Sequence, residues 1–330
     1  MSLAHGFSPK EFQVFIASDA SNAGASGIHA SNMHQLDVDS VGMPSLNVNQ
    51  VLDVRSGAGR TFKDEDFFQD NVLRVPELSI SGTLHNDTGH KLLLQNICND
   101  VSGDIAVASG FTPANQTYGS SVANSASSLT VVIKSSDHSN QRSLEMFGMV
   151  VTSFELSADS GTEGGRYKFS ATLQTGKKPD FNESSVSAGN NAYANTTDCF
   201  LSSASGIKVF DTSVILQSFS ATIESPAVFT GVASDGYQAV HRGAEIAVTA
   251  SATVKYDGNT KGFINSFDTQ TVAQSGDMFV MTNNDSFGID MQNGVFTEVV
   301  YNEGDVMMLD CSIKAVDDGT DALISFDVTS

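Results

Sequence analysis

With 330 residues, 40% of them hydrophobic, the chain has ample material for a buried core, and ordinary domain sizes of about 100 to 200 residues point to two domains. Six prolines, no tryptophan and short alternating runs of Ser, Thr, Asn, Gly and Val suit strands joined by polar loops and fit an all-helical chain badly. The charge balance, 17 Lys and Arg against 38 Asp and Glu or 17 − 38 = −21, argues against a phosphate-gripping surface, which needs cations spread over a broad face.

Met1 to Ala17 carries Lys10 and Glu11 with no cationic leader ahead of a long apolar segment, and nowhere do about 18 apolar residues follow one another. The expectation is a protein made in the cytosol and without a membrane span. Ser56 to Val72 interrupts the first strands with glycines, a charged cluster (Lys63, Asp64, Glu65, Asp66) and the pair Phe67 and Phe68. It reads either as a long hairpin loop or as an arm that inserts into a neighbouring subunit, and the paired aromatics favour giving the arm equal weight.

Next in order, Leu78 to Ile97 predicts a strand and then a helix, because Asn86 and Asp87 are good N-caps and Leu92, Leu93, Ile97 and Val101 form an apolar stripe. Residues 101–128, rich in Ser, Ala, Asn and Gly, read as an added loop. A hairpin follows: Met149 to Leu156, a turn at Ser157 to Gly165, and Arg166 to Leu173, where Tyr167, Phe169, Ala171 and Leu173 alternate with polar residues. Residues 176–198 read as an inter-domain linker, giving domains 1–198 and 199–330.

The second domain repeats the first. Ser79 to Ile97 lies without a gap on Thr249 to Phe267 at a shift of 170, and Phe147 to Leu173 lies on Phe287 to Ile313 at a shift of 140. The latter equates Phe147 with Phe287, Gly148 with Gly288, Glu163 with Glu303, Gly164 with Gly304, Phe169 with Leu309 and Leu173 with Ile313. The second helix follows Asp257, and the second hairpin is Val295 to Tyr301 and Val306 to Ile313 around Asn302 to Asp305. The expected fold is mainly β: two tandem sandwich or barrel domains, each with one short helix that covers an open edge.

Residues that could carry chemistry do not assemble into a motif. Cys98, Cys199 and Cys311 are widely spaced and read as buried or half-buried thiols. His29 and His34, and His85 and His90, stand five apart, a spacing that points them to different faces, so they read as solvated polar residues. Asp317 to Asp321 lacks the alternating ligands and closing Glu of a calcium loop and reads as an acidic turn. No nucleophile elbow, phosphate loop, HExxH or dinucleotide fingerprint is present, and no catalytic, cofactor or metal residues are assigned.

Three runs carry a family likeness: SFELSADSGTEGGRYKFSATLQTG from Ser153 to Gly176, LSISGTLHNDTGHKLLLQNI from Leu78 to Ile97, and VILQSFSATIESPAVFTG from Val214 to Gly231. With the repeat, they resemble the major tail tube proteins of siphophages, in the form with a duplicated domain. The resemblance implies a structural subunit, not an enzyme. Its inner sheets would join those of its neighbours into a ring, trimeric with pseudo-sixfold symmetry in preference to hexameric, and the rings would stack into a virion tail assembled in the host cytoplasm. It also implies a tape-measure protein and a tail terminator as partners, and DNA that passes without specific binding through an acidic channel, which repels phosphate. The alternatives are another ring-forming phage or secretion-system protein, such as a terminator, a decoration protein or a tube ring, then a secreted carbohydrate-binding sandwich, then an acid-rich glycoside hydrolase.

Overall fold

A computed structural model describes residues 12–19, 33–44, 49–52, 67–70, 75–100, 105–109, 115–117, 128–135, 143–182, 198–232, 236–243, 245–269, 274–283 and 287–328. Its first half contributes β1 (Phe12–Ser18), β2 (His34–Leu36), β3 (Val38–Gly42), β4 (Asn49–Leu52), β5 (Phe67–Asp70), β6 (Glu77–Thr83), α1 (Thr88–Cys98), β7 (Ile105–Val107), β8 (Asn115–Thr117), β9 (Leu129–Ser135), β10 (Ser143–Asp159), β11 (Lys168–Gln174) and β12 (Asp180–Asn182). The second half contributes β13 (Ala204–Val209), β14 (Thr212–Ser213), β15 (Leu216–Glu224), β16 (Ala227–Thr230), β17 (Ala239–Arg242), β18 (Ala247–Lys255), α2 (Gly262–Asp268), β19 (Gln274–Asn283), β20 (Phe287–Glu303), β21 (Met307–Ala315) and β22 (Ile324–Val328). The fold is mainly β, as the alternating sequence predicts, and among the described residues every ladder between named strands is antiparallel.

Its centre is a run of eight strands in the order β3-β6-β11-β10-β15-β18-β21-β20. Four come from each half, and β10 against β15 is where the halves meet. The two long strands leave this run at their N-terminal ends to join smaller sheets: β10 pairs there with β9 and β12, and β20 with β19 and β22. In β10 the change of sheet falls where the pairing with β9 is irregular, and Gly148 supplies a φ of 61° there, a left-handed conformation that only glycine adopts at no steric cost. Apolar side chains of both halves fill one continuous core. The ladder branches at β10 and β20, and followed pairing by pairing among the described residues it does not return on itself.

The pairing scheme repeats between the halves, but the shifts differ from those read in the sequence. Leu144 sits between Ile133 and Phe181, and Ile289 sits between Met281 and Phe326. A bulge at Thr152 lies beside the pair Val151 and Leu173, and a bulge at Thr297 beside Phe296 and Ile313. These matches set β10 on β20 at 296 − 151 = 145, while β11 falls on β21 at the expected 313 − 173 = 140. The equation of Phe147 with Phe287 and Gly148 with Gly288 is therefore corrected: Gly148 matches Asn293. The hairpin turn explains the gap, because residues 160–167 connect the first pair of strands and residues 304–306 the second, 8 − 3 = 5 residues fewer.

A second bulge, at Asp39 in β3, lies beside Gly82 and Ser81, and its counterpart at Gln217 in β15 lies beside Val254 and Thr253. This sets β6 on β18 at 254 − 82 = 172, two residues from the shift of 170 read in the sequence, and β3 on β15 at 216 − 38 = 178.

Helix α1 starts as predicted: Asp87 is the N-cap, and its Oδ1 accepts from the His90 N–H at 2.9 Å. It ends at Cys98 because Asn99 takes the left-handed conformation, and Val101 of the expected stripe lies outside the described residues. Leu93, Leu94 and Ile97 are buried against β10, β1 and β7. The second helix begins later than predicted. Asp257 instead closes a turn, its Oδ1 accepting from the Asn259 and Thr260 N–H groups, and of the residues in α2 only Phe263 is buried.

The segments expected to be loop and linker carry strands. β7 pairs with β22 and β8 with β17, so residues from the 101–128 insertion lie along the second half. β12, inside the expected linker, pairs with β10.

Candidate assembly surface

Alternation gives the eight-strand run two unlike faces. Phe154, Leu156, Phe169, Leu173, Ala221, Ile223, Val254 and Ile313 point into the core. The opposite face is rich in hydroxyls: Ser79 and Ser81 on β6, Ser170 and Thr172 on β11, Ser220 and Thr222 on β15, and Thr249 and Ser251 on β18. Ser220 and Ser251 hydrogen-bond across the strands at 2.9 Å, and Thr253 donates to Asp310 at 2.7 Å. Charges on this face are sparse and mostly negative: Glu77, Glu155, Asp159, Glu224, Glu298 and Asp310 against Lys168, Lys255 and Lys314. Lys168 is itself held by Asp39 and Glu163, each at 3.0 Å.

Both ends of the run are open among the described residues. Among the described residues β3 pairs only with β6, and the C-terminal half of β20 pairs only with β21. Unpaired strand edges are templates for adding another strand, and proteins that remain monomers cover or blunt them. Here the edge of β20 carries apolar side chains in the open: Val300 and Tyr301 are exposed, as are Val306 and Met307 where the chain turns into β21, and Met43 just beyond β3. The sequence carries a signal of this edge. Val299, Val300 and Tyr301 break the alternation, placing apolar groups on both faces of one strand.

The anticipated arm is described only in part. Lys63, Asp64, Glu65 and Asp66 lie outside the described residues, and Phe67 and Phe68 open β5, which pairs with β4.

The histidines correct the sequence reading, since His85 and His90 are buried, with ring centroids 5.7 Å apart. His85 lies between two carboxylates, Nε2 at 2.9 Å from Asp37 and Nδ1 at 2.9 Å from Asp198, and Asp198 also takes Arg166 at 2.6 Å. His90 Nδ1 lies 2.8 Å from Asp87. Burial alone would raise the Asp87 carboxyl, but the hydrogen bond and charge of His90 outweigh it and hold the group below the usual carboxylate range. A turn separates the two histidines from strand geometry, which is why a spacing of five did not set them on different faces.

The three cysteines are free and buried, as expected. Asp317 and Asp318 spend their side-chain oxygens on the N–H groups of Gly319, Thr320 and Asp321, the arrangement of an acidic turn. Among the described residues no cluster of three or more His, Cys, Asp or Glu is placed to hold a metal, and no helix is long and apolar enough to cross a membrane. No protein-family model matches the chain, and no curated protein matches it in sequence.

Proposed function

We propose that this protein is a non-catalytic, self-assembling structural subunit of a phage tail tube, built from two copies of one module. Three chains then supply six equivalent modules to a ring, the hydroxyl-rich, weakly negative face of the eight-strand run lines the channel, and rings stack into a tube through which duplex DNA passes. The ring would meet a tape-measure protein inside and a terminator at its end, within a virion tail assembled in the host cytoplasm. The segment from Ser56 to Val72 is proposed as the arm that engages the adjacent ring.

One observation carries the reading: four strands of each half form a single sheet through the β10 and β15 pairing, and among the described residues β3 and the C-terminal half of β20 have no partner on their outer edges. A sheet that repeats by rotation is completed by closing a ring, which removes both edges at once. A channel for DNA works best without cations to grip phosphate, and a face on which acids outnumber lysines suits that role.

Electron microscopy of the purified protein tests this. Long open stacks with a pore wide enough for duplex DNA are expected; monomers at every concentration would refute it. Discrete rings that never stack would favour the second reading, another ring-forming assembly protein such as a terminator, which the same open edges support.

A further inference from the structure

The joint inside the chain shows what a joint between chains must bury. In β10, Leu156 is fully buried, because β15 runs beside it with Ala221 directly across. The matching bulges that set β10 on β20 at a shift of 145 place Tyr301 at the position of Leu156, and those that set β3 on β15 at 178 place Met43 at the position of Ala221. Tyr301 is 48% exposed and Met43 47% exposed. The same shifts set Asn302 opposite Gly42, where the inner joint has Ser157 opposite Ser220, and Glu303 opposite Val41, where it has Ala158 opposite Phe219.

We infer that the occupant of the β20 edge is the β3 edge of a second copy of this chain, antiparallel and in the register that puts Tyr301 opposite the partner copy's Met43. The inference rests on the proposed function and adds to it the mating strands, their direction and their alignment. Chemistry agrees at two of the three positions, and at the third Glu303 is exposed at the end of β20, where its carboxylate stays in water. Two exposed apolar side chains meet on the core face, and an asparagine meets a glycine on the polar face. A slip of one residue would turn Tyr301 against the polar side of β3, so the apolar pair fixes the register. The contact is heterologous, since the β20 edge of one copy meets the β3 edge of the next, and such contacts close into rings only when the rotation per copy closes.

The intermolecular joint also differs from the inner one in a readable way. Between the halves, β7 and β8 reach across to pair with β22 and β17, so the inner joint is strapped. Rings should therefore come apart between chains and never between halves.

The test is a pair of cysteines, Tyr301→Cys with Met43→Cys, in the full chain, whose own three thiols are buried. Residues directly opposite in an antiparallel pair have Cβ atoms about 4.5 to 5.5 Å apart, within reach of a disulfide after small shifts. Under mild oxidation the double variant is expected to give covalent species beyond dimers on non-reducing gels, while Tyr301→Cys alone gives dimers at most. Both sites are exposed, so each variant should melt within a few degrees of the parent and remain interpretable. If the parent forms rings in the microscope but the double variant yields no species beyond dimers, the register is wrong and the assembly reading survives. If the parent forms no oligomer at any concentration, both fall.

Discussion

Arg242 of β17 donates to the Asn96 carbonyl at 2.6 Å and to its side-chain oxygen at 2.9 Å, so a hairpin of the second half caps the last turn of the helix in the first. The other arm of the guanidinium donates to the carbonyls of Val151 and Ser225. Asn96 in turn accepts from the Val151 N–H at 2.7 Å, beside the bulge of β10. No carboxylate is among these partners. The charge is carried by carbonyl dipoles, including those at the helix C-terminus, where positive charge is favoured. Burial brings the Arg242 guanidinium down to about 10, which leaves it protonated at neutral pH.

Arg242→Met takes the guanidinium donors from the carbonyls of Val151, Ser225 and Asn96 in a dry site, while Asn96 Oδ1 keeps the Val151 N–H. The expected cost is about 1 to 3 kcal/mol, the range for leaving buried hydrogen-bonding groups unsatisfied. Arg242→Lys should lose nearly as much, because an ammonium cannot fork to both Asn96 and Val151. Urea unfolding monitored by circular dichroism checks this, and a loss below 1 kcal/mol for Arg242→Met would show that the network is dispensable.

Much of the first half's hairpin was legible because its information is local. Tyr167, Phe169, Ala171 and Leu173 are all buried while Ser170 between them is exposed, and a period of two needs no knowledge of the partner strand. The Asp87 cap was legible for the same reason. What escaped depends on contacts distant in the chain. The strand β7 forms because Phe326 and Ile324 of β22 offer an edge more than 200 residues later, and nothing in Ile105 to Val107 announces it. The burial of His85 depends on Asp37 and Asp198, brought in from 48 residues before it and 113 after. The shift of five in the repeat was hidden because the shorter turn of the second hairpin can be slid either way on sequence alone.

A pH dependence follows from Asp19, at the end of β1. Burial raises its carboxyl to about 6, against the lowering effect of the Gly148 N–H and the Ser128 hydroxyl. Its native pKa thus lies above the unfolded value of about 3.9, so the folded state holds the proton more tightly. This group's contribution favours folding in acid and is lost as pH rises from about 4 to about 6, above which the ionised form weighs against the fold. Asp19→Asn, which can still accept from Ser128, is expected to raise Tm at pH 7.5 and to change it little at pH 4. Differential scanning calorimetry at the two pH values decides it; an equal change at both would mean that the effect is steric and not electrostatic.

The polar face gives the last prediction, which separates a DNA conduit from other ring proteins. Glu155 and Glu224 are exposed, on the adjoining strands β10 and β15 at the centre of the eight-strand run. Replacing both with lysine changes the charge of each chain by 2 × 2 = +4 while touching no buried group, so folding and assembly should be retained. If this face lines the channel, rings of the parent leave duplex DNA free in low salt, whereas rings of the double variant retain it. Retention should then fall with added salt, by about 0.9 in log affinity per log unit of salt for each phosphate contacted. Mobility-shift assays across a salt series read both quantities. Should the parent rings themselves hold DNA as tightly as the variant, the hydroxyl-rich face is not a passage that DNA slips through, and the ring serves some other assembly.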